Sequence, residues 1–383
     1  MVERQSAMEG LVSMFWNGKK VFLTGHTGFK GSWLSLWLQS LGAQVTGYSL
    51  DPPTTPNLFD LALVSHGMHS VRGDICDLSH LKSAMAESAP EIVFHMAAQS
   101  LVRVSYEDPI LTYHTNVLGT ANVLEAVRAT GSVRSVVAIT TDKCYENRNW
   151  YWGYREIDRL GGHDPYSNSK ACSELVVSAY RDSFFSSVCG GRPVSLASAR
   201  AGNVIGGGDW AKDRIIPDAM RAFGRNESLK IRNPHATRPW QHVLEPLRGY
   251  LMLAQNLYEH GESFASAWNF GPRSGDARPV RWIVERIVAL WGAPASWEIQ
   301  AGQHPHEAQM LQLDWSKAAQ QLGWRPVLDL SKALEMTVEW YRQHQNGSDA
   351  REQCLAQIAA YSAAVDQDIP RSESAHENAL PSE

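Results

Sequence analysis

Tyr166 and Lys170 stand four residues apart, directly after Pro165, in the pattern Tyr-x-x-x-Lys. On a helix, residues at i and i+4 lie on one face, so the phenol and the ammonium point the same way. A buried cation beside a phenol favours the phenolate and lowers the tyrosine pKa from about 10 towards neutral pH. Such a phenolate can take the proton of a carbinol. The pair therefore predicts acid–base chemistry at a hydroxyl-bearing carbon.

A second reactive group, TTDKCY at residues 140–145, follows a predicted strand at residues 136–139. A hydroxyl, a carboxylate and an ammonium thus stand where a parallel α/β sheet places its ligand, beyond the carboxyl end of a strand. A surface Asp–Lys salt bridge is the ordinary alternative, and the location argues against it. The predicted catalytic group is Thr141, Asp142, Lys143, Tyr166 and Lys170.

A glycine-rich segment, GHTGFKG at residues 25–31, lies between a predicted strand at 19–23 and a predicted helix at 32–38. Gly25 is expected to make the turn, Gly28 to allow a close backbone approach, and Gly31 to let helix and strand pack. In this context the spacing predicts a pyrophosphate site at the helix N-terminus. The alternative is an ordinary strand-to-helix turn.

Asp51 lies 51 − 31 = 20 residues after Gly31, at the end of the next predicted strand. A carboxylate there binds the 2′-hydroxyl of an adenosine ribose and repels a 2′-phosphate. Since no Arg or Lys occurs between Lys30 and Arg72, no cation is expected at that strand end, and NAD is predicted rather than NADP. Alternatively, Asp51 only begins a turn and Ser49 meets the ribose.

Two further segments are expected at the cofactor. Asp74 can accept the adenine amino group, unless it is a solvated turn residue, and the small alanines after the strand at 92–95 allow close approach. His95 is interpreted as an interior histidine, and Lys170 can also hold the nicotinamide ribose. The predicted cofactor-binding residues are Gly25, His26, Gly28, Phe29, Lys30, Gly31, Asp51, Asp74, Ile75, Ala97, Ala98, Gln99, Thr140, Tyr166 and Lys170.

The elements that must position these residues alternate between strand and helix, which predicts an α/β fold with a Rossmann-like, doubly wound parallel sheet. After Arg200, helical stretches separated by proline-containing segments predict a smaller, mostly helical C-terminal substrate lobe. The expected divisions are residues 15–201 for the NAD-binding domain, 202–345 for the lobe, with some segments returning to the sheet, and 346–383 for an extension. The polar residues 366–383 are predicted to be disordered.

Composition excludes several classes of protein. The 383 residues carry 35 Lys and Arg against 40 Asp and Glu, a net charge of −5 without a basic stripe, which argues against nucleic acid or an anionic membrane as partner. Five cysteines without metal-ligand spacing indicate a reducing compartment and no metal site. No apolar run approaches the length of a membrane span, about 18 residues, and no signal peptide is evident. A cytoplasmic protein is expected.

Several long strings, TGHTGFKG, FHMAAQS, TTDKCYEN, DPYSNSK, RAGNVIGGGDW and RPWQHVLEPL, resemble the extended short-chain dehydrogenase/reductase family. The resemblance runs from about Phe15 to about Tyr341 and is strongest to its nucleotide-sugar 4,6-dehydratases. It implies a lyase that oxidises a sugar at C4 with tightly held NAD, removes water across C5 and C6, and returns the hydride to C6. CDP-glucose is the implied substrate, and deoxysugar synthesis for lipopolysaccharide O-antigen is the implied pathway.

The same resemblance implies roles for the catalytic group. Tyr166, with Lys170 and Thr141, would take the C4-hydroxyl proton, and Asp142 would protonate the departing C6-hydroxyl. Lys143 stands where the similar dTDP-glucose dehydratases carry a glutamate base. It would act either as the C5 base or as electrostatic support for the enolate.

Substrate contacts and assembly are also implied. The substrate residues would be Asn203, Trp210, Arg214, Arg238, His306 and Glu307. A homodimer would form through helices that include the one beginning near Tyr166. His26 and Lys30 depart from the small or neutral residues usual in the family's glycine loop and are expected to alter how tightly NAD is held.

Two alternatives stay open. A nucleotide-sugar 4-epimerase shares the C4 oxidation, but it needs no acid at C6, so the Asp142–Lys143 pair disfavours it. A non-catalytic dinucleotide sensor has no use for an activated phenol, so Thr141, Tyr166 and Lys170 disfavour that interpretation.

Overall fold

The computed structural model describes residues 14–187, 193–300 and 310–368. Its strands, numbered in chain order, are β1 Lys20–Thr24, β2 Gln44–Ser49, β3 His69–Arg72, β4 Ile92–His95, β5 Ser135–Ile139, β6 Ser195–Ala201, β7 Asn203–Ile205, β8 Leu229–Ile231, β9 Thr237–His242, β10 Ala267–Phe270, β11 Ala277–Pro279 and β12 Trp297–Ile299.

Seven strands form one parallel sheet in the order β10-β6-β5-β4-β1-β2-β3. The order reverses between β1 and β4, which creates the crevice where such sheets bind ligands. The central strands β4 and β5 are buried along their whole length, as expected when helices cover both faces of a parallel sheet. The predicted Rossmann-like fold is confirmed.

The helices cover the sheet and build the rest of the molecule. They are α1 Phe29–Ser40, α2 Leu58–Leu61, α3 Leu78–Ser88, α4 Val102–Glu107, α5 Pro109–Tyr113, α6 Gly119–Ala129, α7 Pro165–Tyr180, α8 Ile215–Gly224, α9 Leu244–His260, α10 Val280–Trp291, α11 Leu330–Gln345 and α12 Ala350–Asp368. Short π-helical segments occur at His114–Leu118, Arg181–Phe185 and Ala318–Leu322, and 3₁₀ turns at Asp142–Cys144, Gly261–Phe264 and Ser274–Asp276.

The part of the chain after β6 is mainly helical. It also contains a three-stranded sheet, β11-β9-β7, and a two-stranded sheet of β12 and β8. Strand β10 returns to the large sheet and pairs in parallel with β6. β7 follows β6 after a single residue, so the small sheet begins directly at the carboxyl end of a central strand, where it can face the crevice.

The last described helix, α12, packs on the Rossmann part through α1. The Tyr361 hydroxyl donates to Glu245 Oε2 at 2.8 Å, and its ring lies edge-on to Trp37 with centroids 5.8 Å apart. Residues 366–368, expected to begin a disordered tail, instead complete α12; residues 369–383 lie outside the described part. Within the described ranges, no helix is long and apolar enough to cross a membrane.

Candidate active site

The carboxyl end of β5 carries the first half of the catalytic group. Thr141 begins the 3₁₀ turn, with its Oγ1 accepting from the Lys143 amide at 3.3 Å and donating to Asp142 Oδ1 at 3.0 Å. Asp142 is buried, and its Oδ2 has no hydrogen-bond partner among the described residues. Burial raises the pKa of the Asp142 carboxyl, against the opposing charge of Lys143. A carboxyl in this state favours its proton and can donate it.

Helix α7 carries the second half. Asp164 caps the helix by accepting from the Ser167 amide at 2.9 Å, and Pro165 occupies the first turn. This start places Tyr166 and Lys170 on one buried face. The Lys170 ammonium donates to the backbone carbonyl of Ile139, the last residue of β5, at 3.0 Å.

Burial dominates the protonation of this pair. It raises the pKa of Tyr166 to about 12, although a hydrogen bond with Thr141 and the charge of Arg214 oppose the shift. Burial also lowers the pKa of Lys170 to about 8, against the charge of Glu174. The expectation of a lowered tyrosine pKa is therefore wrong, because the loss of hydration outweighs the neighbouring cations.

All five predicted catalytic residues converge. Lys143 Nζ lies 5.9 Å from the centroid of the Tyr166 ring, and the phenol is hydrogen-bonded to Thr141. The charge of Asp142 acts on Tyr166 as well. A phenol that can accept a proton and a carboxyl that can donate one therefore share one buried crevice at the end of β5.

The glycine loop turns at the crevice between β1 and β4, where the strand order of the sheet reverses. Gly25 has φ +78°, and a β-carbon there would lie 2.7 Å from the Ala97 amide nitrogen, after β4. A β-carbon on Gly31 would lie 2.1 Å from the Gly25 carbonyl oxygen, so α1 packs directly on the loop. Gly28 is the N-cap of α1. The loop therefore forms the tight cradle expected for a pyrophosphate, with the helix N-terminus opening onto it.

His26 lies beneath the loop, in a pocket formed by β2 and β3. Its Nε2 is 2.7 Å from Ser70 Oγ, and its ring is edge-on to Phe59. The ring fills the space left by Gly47, where a β-carbon would lie 2.3 Å from His26 Cγ. Burial, aided by the charge of Arg72, lowers the pKa of His26 to about 4. The neutral imidazole anchors the loop to the sheet.

Lys30 points towards the catalytic group. Its Nζ donates to the Tyr250 hydroxyl at 3.1 Å. Burial, together with the charges of Lys170 and Arg214, lowers its pKa to about 7, while Asp142 opposes the shift. Apart from the unusual residue type in the loop, no sequence signal predicts this contact, because Tyr250 lies 220 residues away.

A cation that was not expected from the sequence lies beside the end of β2, where the adenosine ribose is predicted to bind. Arg72, at the end of β3, donates from Nε to Asp51 Oδ1 at 2.8 Å. The expectation that this strand end carries no cation is wrong, because strand pairing brings β3 beside β2. Ser49, the alternative ribose contact, shares a hydrogen bond of 2.8 Å with Thr27. The Asp51 carboxylate stays exposed, with 88% of its side chain accessible.

The other predicted cofactor residues surround the same crevice. Asp74 Oδ1 accepts from the Cys76 amide at 2.9 Å and forms a turn, while Ile75 is buried. The Ala97 amide donates to Thr24 Oγ1 at 3.1 Å, and the Gln99 amide donates to an Asn116 side chain at 2.9 Å. Thr140 donates to Glu174. Ala98 lies between Ala97 and Gln99, and Phe29 begins α1 beside Gly206.

His95 confirms its interpretation as an interior residue. Its Nδ1 is 2.9 Å from the Thr24 hydroxyl and its Nε2 is 3.0 Å from the Thr120 hydroxyl. Burial lowers the pKa of His95 to about 3, so the ring stays neutral.

The predicted substrate residues divide into three groups. Arg214 and Arg238 lie near the catalytic group, since their charges act on Tyr166 and Asp142 respectively. Asn203 begins β7, which pairs with β9, the strand that carries Arg238. Trp210 instead packs edge-on against Tyr341, with centroids 5.2 Å apart. His306 and Glu307 lie outside the described residues.

Sequence reasoning missed a buried ion pair next to the catalytic group. Glu174 follows Lys170 by one helical turn, and its Oε2 accepts from Arg200 NH2 at 2.7 Å. Both side chains are almost completely buried. The i+4 spacing after Lys170 was the available signal. Among the described residues, no group of three or more His, Cys, Asp or Glu side chains could hold a metal ion.

Family comparison agrees with this geometry. The profile described as GDP-mannose 4,6 dehydratase matches residues 22–337, so the chain belongs to that family. It is 57% identical over 336 residues to the CDP-glucose 4,6-dehydratase of Salmonella typhimurium strain LT2, covering 88% of this chain and 94% of that protein.

Solved structures share the fold. The dTDP-glucose 4,6-dehydratase of Streptomyces venezuelae, solved with NAD bound, gives a TM-score of 0.72 at 24% identity, covering 85% of this chain and 98% of that one. The UDP-glucose 4-epimerase of Brucella ovis, in complex with NAD, gives 0.70 at 25% identity, covering 84% and 97%. Since dehydratases and epimerases both match, the fold does not separate the two reactions.

The fit between His26 and Gly47 generates a stability prediction. We expect Gly47→Ala to lower the free energy of unfolding by about 1–3 kcal/mol, because the added methyl overlaps the imidazole. In a His26→Ala background the same substitution should cost far less, since the ring is gone. Denaturant unfolding of the two single variants and the double variant measures the difference. An equal cost in both backgrounds would show that the ring does not occupy this space.

Proposed function

We propose that this protein is a CDP-glucose 4,6-dehydratase, which converts CDP-glucose to CDP-4-keto-6-deoxyglucose and water. The observation that carries the proposal is the buried Asp142 carboxyl beside the Thr141–Tyr166 pair. Its pKa is raised, and one of its oxygens has no hydrogen-bond partner in the described part of the chain. A dehydratase needs a proton donor for the C6-hydroxyl at this place. The Salmonella typhimurium relative supplies the identity of the nucleotide carrier.

The glycine loop fits the pyrophosphate of NAD. Gly25 and Gly31 leave no room for side chains, and the N-terminus of α1 offers amide donors. Asp51 would hold the adenosine ribose, with Asp74 and Ile75 at the adenine and Ala97 to Gln99 along the crevice. Bound there, NAD would supply the hydride acceptor for sugar C4 and the hydride donor for C6.

Tyr166 takes the proton of the C4-hydroxyl in this proposal. Because burial raises its pKa, the phenolate requires a nearby positive charge. Lys170, with a pKa of about 8, is mostly protonated at neutral pH and supplies that charge from its position against Ile139. Thr141 keeps the phenol oriented.

Asp142 and Lys143 then serve the loss of water. The C4 ketone acidifies the hydrogen on C5. Lys143 either removes this hydrogen as a proton and returns a proton to C5 once the hydride has reached C6, or it stabilises the enolate. Asp142 gives its proton to the departing C6-hydroxyl. Lys143 lies over the Tyr166 ring, so Lys143 and Tyr166 can reach the same sugar.

The diphosphate is assigned to arginines on the C-terminal side of the crevice. Arg238 is buried on β9, and Arg214 is held by Asp209 Oδ2 at 2.9 Å. A planar guanidinium makes paired charge-assisted bonds with phosphate oxygens. Asn203 is assigned to the sugar or diphosphate, and Trp210, His306 and Glu307 to the nucleotide.

A 4-epimerase is the second candidate, because the fold and the Tyr166–Lys170 pair serve that reaction equally well. It would leave the Asp142–Lys143 pair without a task. A sensor without catalysis is disfavoured for the same reason, since it would also leave the buried Tyr166–Thr141 pair unused.

The first test of the proposal is mass spectrometry of the protein with NAD and, separately, CDP-glucose, dTDP-glucose, GDP-mannose and UDP-glucose. We expect CDP-glucose alone to lose one water, without net reduction of NAD, because the cofactor is regenerated. Loss of water from another nucleotide sugar would keep the reaction and change the carrier. Inversion at C4 without water loss would support the epimerase.

Two substitutions separate the proposed steps. Tyr166→Phe should lower turnover by about 10²–10⁴-fold, because it lacks the group that takes the C4 proton, and reduced nicotinamide should not accumulate. Lys143→Ala should lose dehydration by a similar factor while reduced nicotinamide still accumulates. Lys332→Ala, an exposed lysine on α11, is the control. Near-normal turnover of Lys143→Ala would contradict the role of Lys143 as base.

We further propose a homodimer formed by the helices around α7. Helices α4, α5 and α6 pack against α7, and this region exposes several large apolar side chains: Tyr106, Ile110, Leu111, Leu118 and Leu175. A patch of this kind is typical of a protein interface. A cytoplasmic location and a role in deoxysugar synthesis for lipopolysaccharide O-antigen follow from the substrate and cofactor proposed here.

A charge in this patch should disrupt the dimer. We expect Leu175→Glu, on α7 and 59% exposed, to shift the molar mass from two chains to one, because a buried unpaired carboxylate is costly. Ile157→Glu, 85% exposed outside these helices, is the matched control and should stay dimeric. Analytical ultracentrifugation measures both, and a dimeric Leu175→Glu would place the interface elsewhere.

A further inference from the structure

The buried Glu174–Arg200 pair connects two elements beside the active site, α7 and β6. Glu174 lies on α7, one turn beyond Lys170, and Arg200 lies on β6. Their side chains are 3% and 4% exposed, and the charged atoms are 2.7 Å apart. A carboxylate and a guanidinium buried this completely must keep their hydrogen bonds, because losing one leaves an uncompensated charge. The Glu174–Arg200 pair therefore holds α7 and β6 in a fixed position relative to each other.

One hydrogen bond of the pair, called the first arm below, joins Glu174 to the segment that carries Thr141. Glu174 Oε1 accepts from the hydroxyl of Thr140, the residue immediately before Thr141. The carbonyl of Ile139, one residue earlier, holds the Lys170 ammonium. This arm therefore fixes the strand end on which the proposed oxidation group of Thr141, Tyr166 and Lys170 depends.

A second arm reaches the other end of the 3₁₀ turn. Arg200 NH1 donates to the Tyr145 hydroxyl at 2.6 Å, and Tyr145 directly follows the turn Asp142–Cys144. The Tyr145 hydroxyl in turn donates to Asn269 Oδ1 at 2.8 Å on β10. This arm therefore fixes the chain leaving Asp142 and Lys143, the groups assigned to the loss of water.

A third hydrogen bond reaches no catalytic segment. Ser198 Oγ, on β6, donates to Glu174 Oε2 at 2.7 Å. Ser198 lies inside the strand and is buried against the sheet. It provides a natural comparison, because it contacts the same carboxylate without leading to Thr141 or to the turn.

We propose that Glu174 and Arg200 are positioning residues that set the two halves of the active site separately, the oxidation group through Thr140 and the water-loss group through Tyr145. The assignment of the two halves rests on the proposed function. The connection itself rests only on the geometry of the described residues.

The test uses isosteric variants of the arms, since Glu174→Gln would leave Arg200 buried without its counter-charge and would threaten folding. Thr140→Val removes the first arm, Tyr145→Phe removes the second, and Ser198→Ala is the matched control. Stopped-flow absorbance of the full-length protein with NAD and CDP-glucose follows reduced nicotinamide as it appears and decays. NAD affinity, measured by titration, should be the same in the wild-type protein, Tyr145→Phe and Ser198→Ala.

We expect Thr140→Val to slow the appearance of reduced nicotinamide by about 10- to 100-fold, and Tyr145→Phe to slow its decay by a similar factor, because small misplacements are costly in catalysis. Ser198→Ala should change neither rate. Equal effects of the two variants on both phases, or no effect of either, would overturn the proposal.

Hydrogen exchange makes the test independent of the reaction. Thr140→Val should raise amide exchange at residues 140–141, and Tyr145→Phe at residues 142–146, with no change at either place in Ser198→Ala. Unchanged exchange in both variants would overturn the positioning role. If the wild-type protein leaves CDP-glucose unchanged, the proposed function fails, while the exchange data still decide the positioning role.

Discussion

The site depends on one constraint: ionisable side chains at the carboxyl end of β5 are buried away from water. Four ionisable side chains lie within this crevice: Lys30, Asp142, Tyr166 and Lys170. Burial lowers the pKa of each lysine and raises the pKa of Asp142 and Tyr166, so it favours the neutral form of all four. The fold offsets this with few, fixed partners. The Ile139 carbonyl holds Lys170, and Tyr250 holds Lys30. Because these partners lie on the central strand β5 and on α9, the sheet must form before the site exists.

The sequence predicts what is local. Buried parallel strands are continuous apolar runs, so the predicted strands at 19–23, 92–95 and 136–139 match β1, β4 and β5 within one residue. The glycine spacing and the Tyr-x-x-x-Lys pattern depend on positions within one turn or one helix, and the structure places both as expected. Convergence of Thr141 with Tyr166 follows from strand order in a doubly wound sheet, which the alternation of elements already implies.

Contacts between distant segments were not predictable in the same way. His26 fits between β2 and β3 only because Gly47 lacks a side chain and Ser70 stands opposite, and neither fact is visible before the register of the strands is known. Arg72 meets Asp51 because β3 pairs with β2. The raised pKa of Tyr166 was missed for a related reason: residue types reveal neighbouring charges, but the loss of hydration depends on the packing of the whole crevice.

Burial makes opposite demands on the two proposed proton-transfer groups. It favours the neutral carboxyl of Asp142, which is the form that can donate a proton, and it disfavours the phenolate of Tyr166, which is the form that can accept one. Positive charge acts on both groups, since Arg214 acts on Tyr166 while Lys143 and Arg238 act on Asp142. Burial outweighs these charges at both places, so each group keeps a raised pKa. An epimerase requires only the base, so the buried acid is the feature that separates the two reactions on this shared fold.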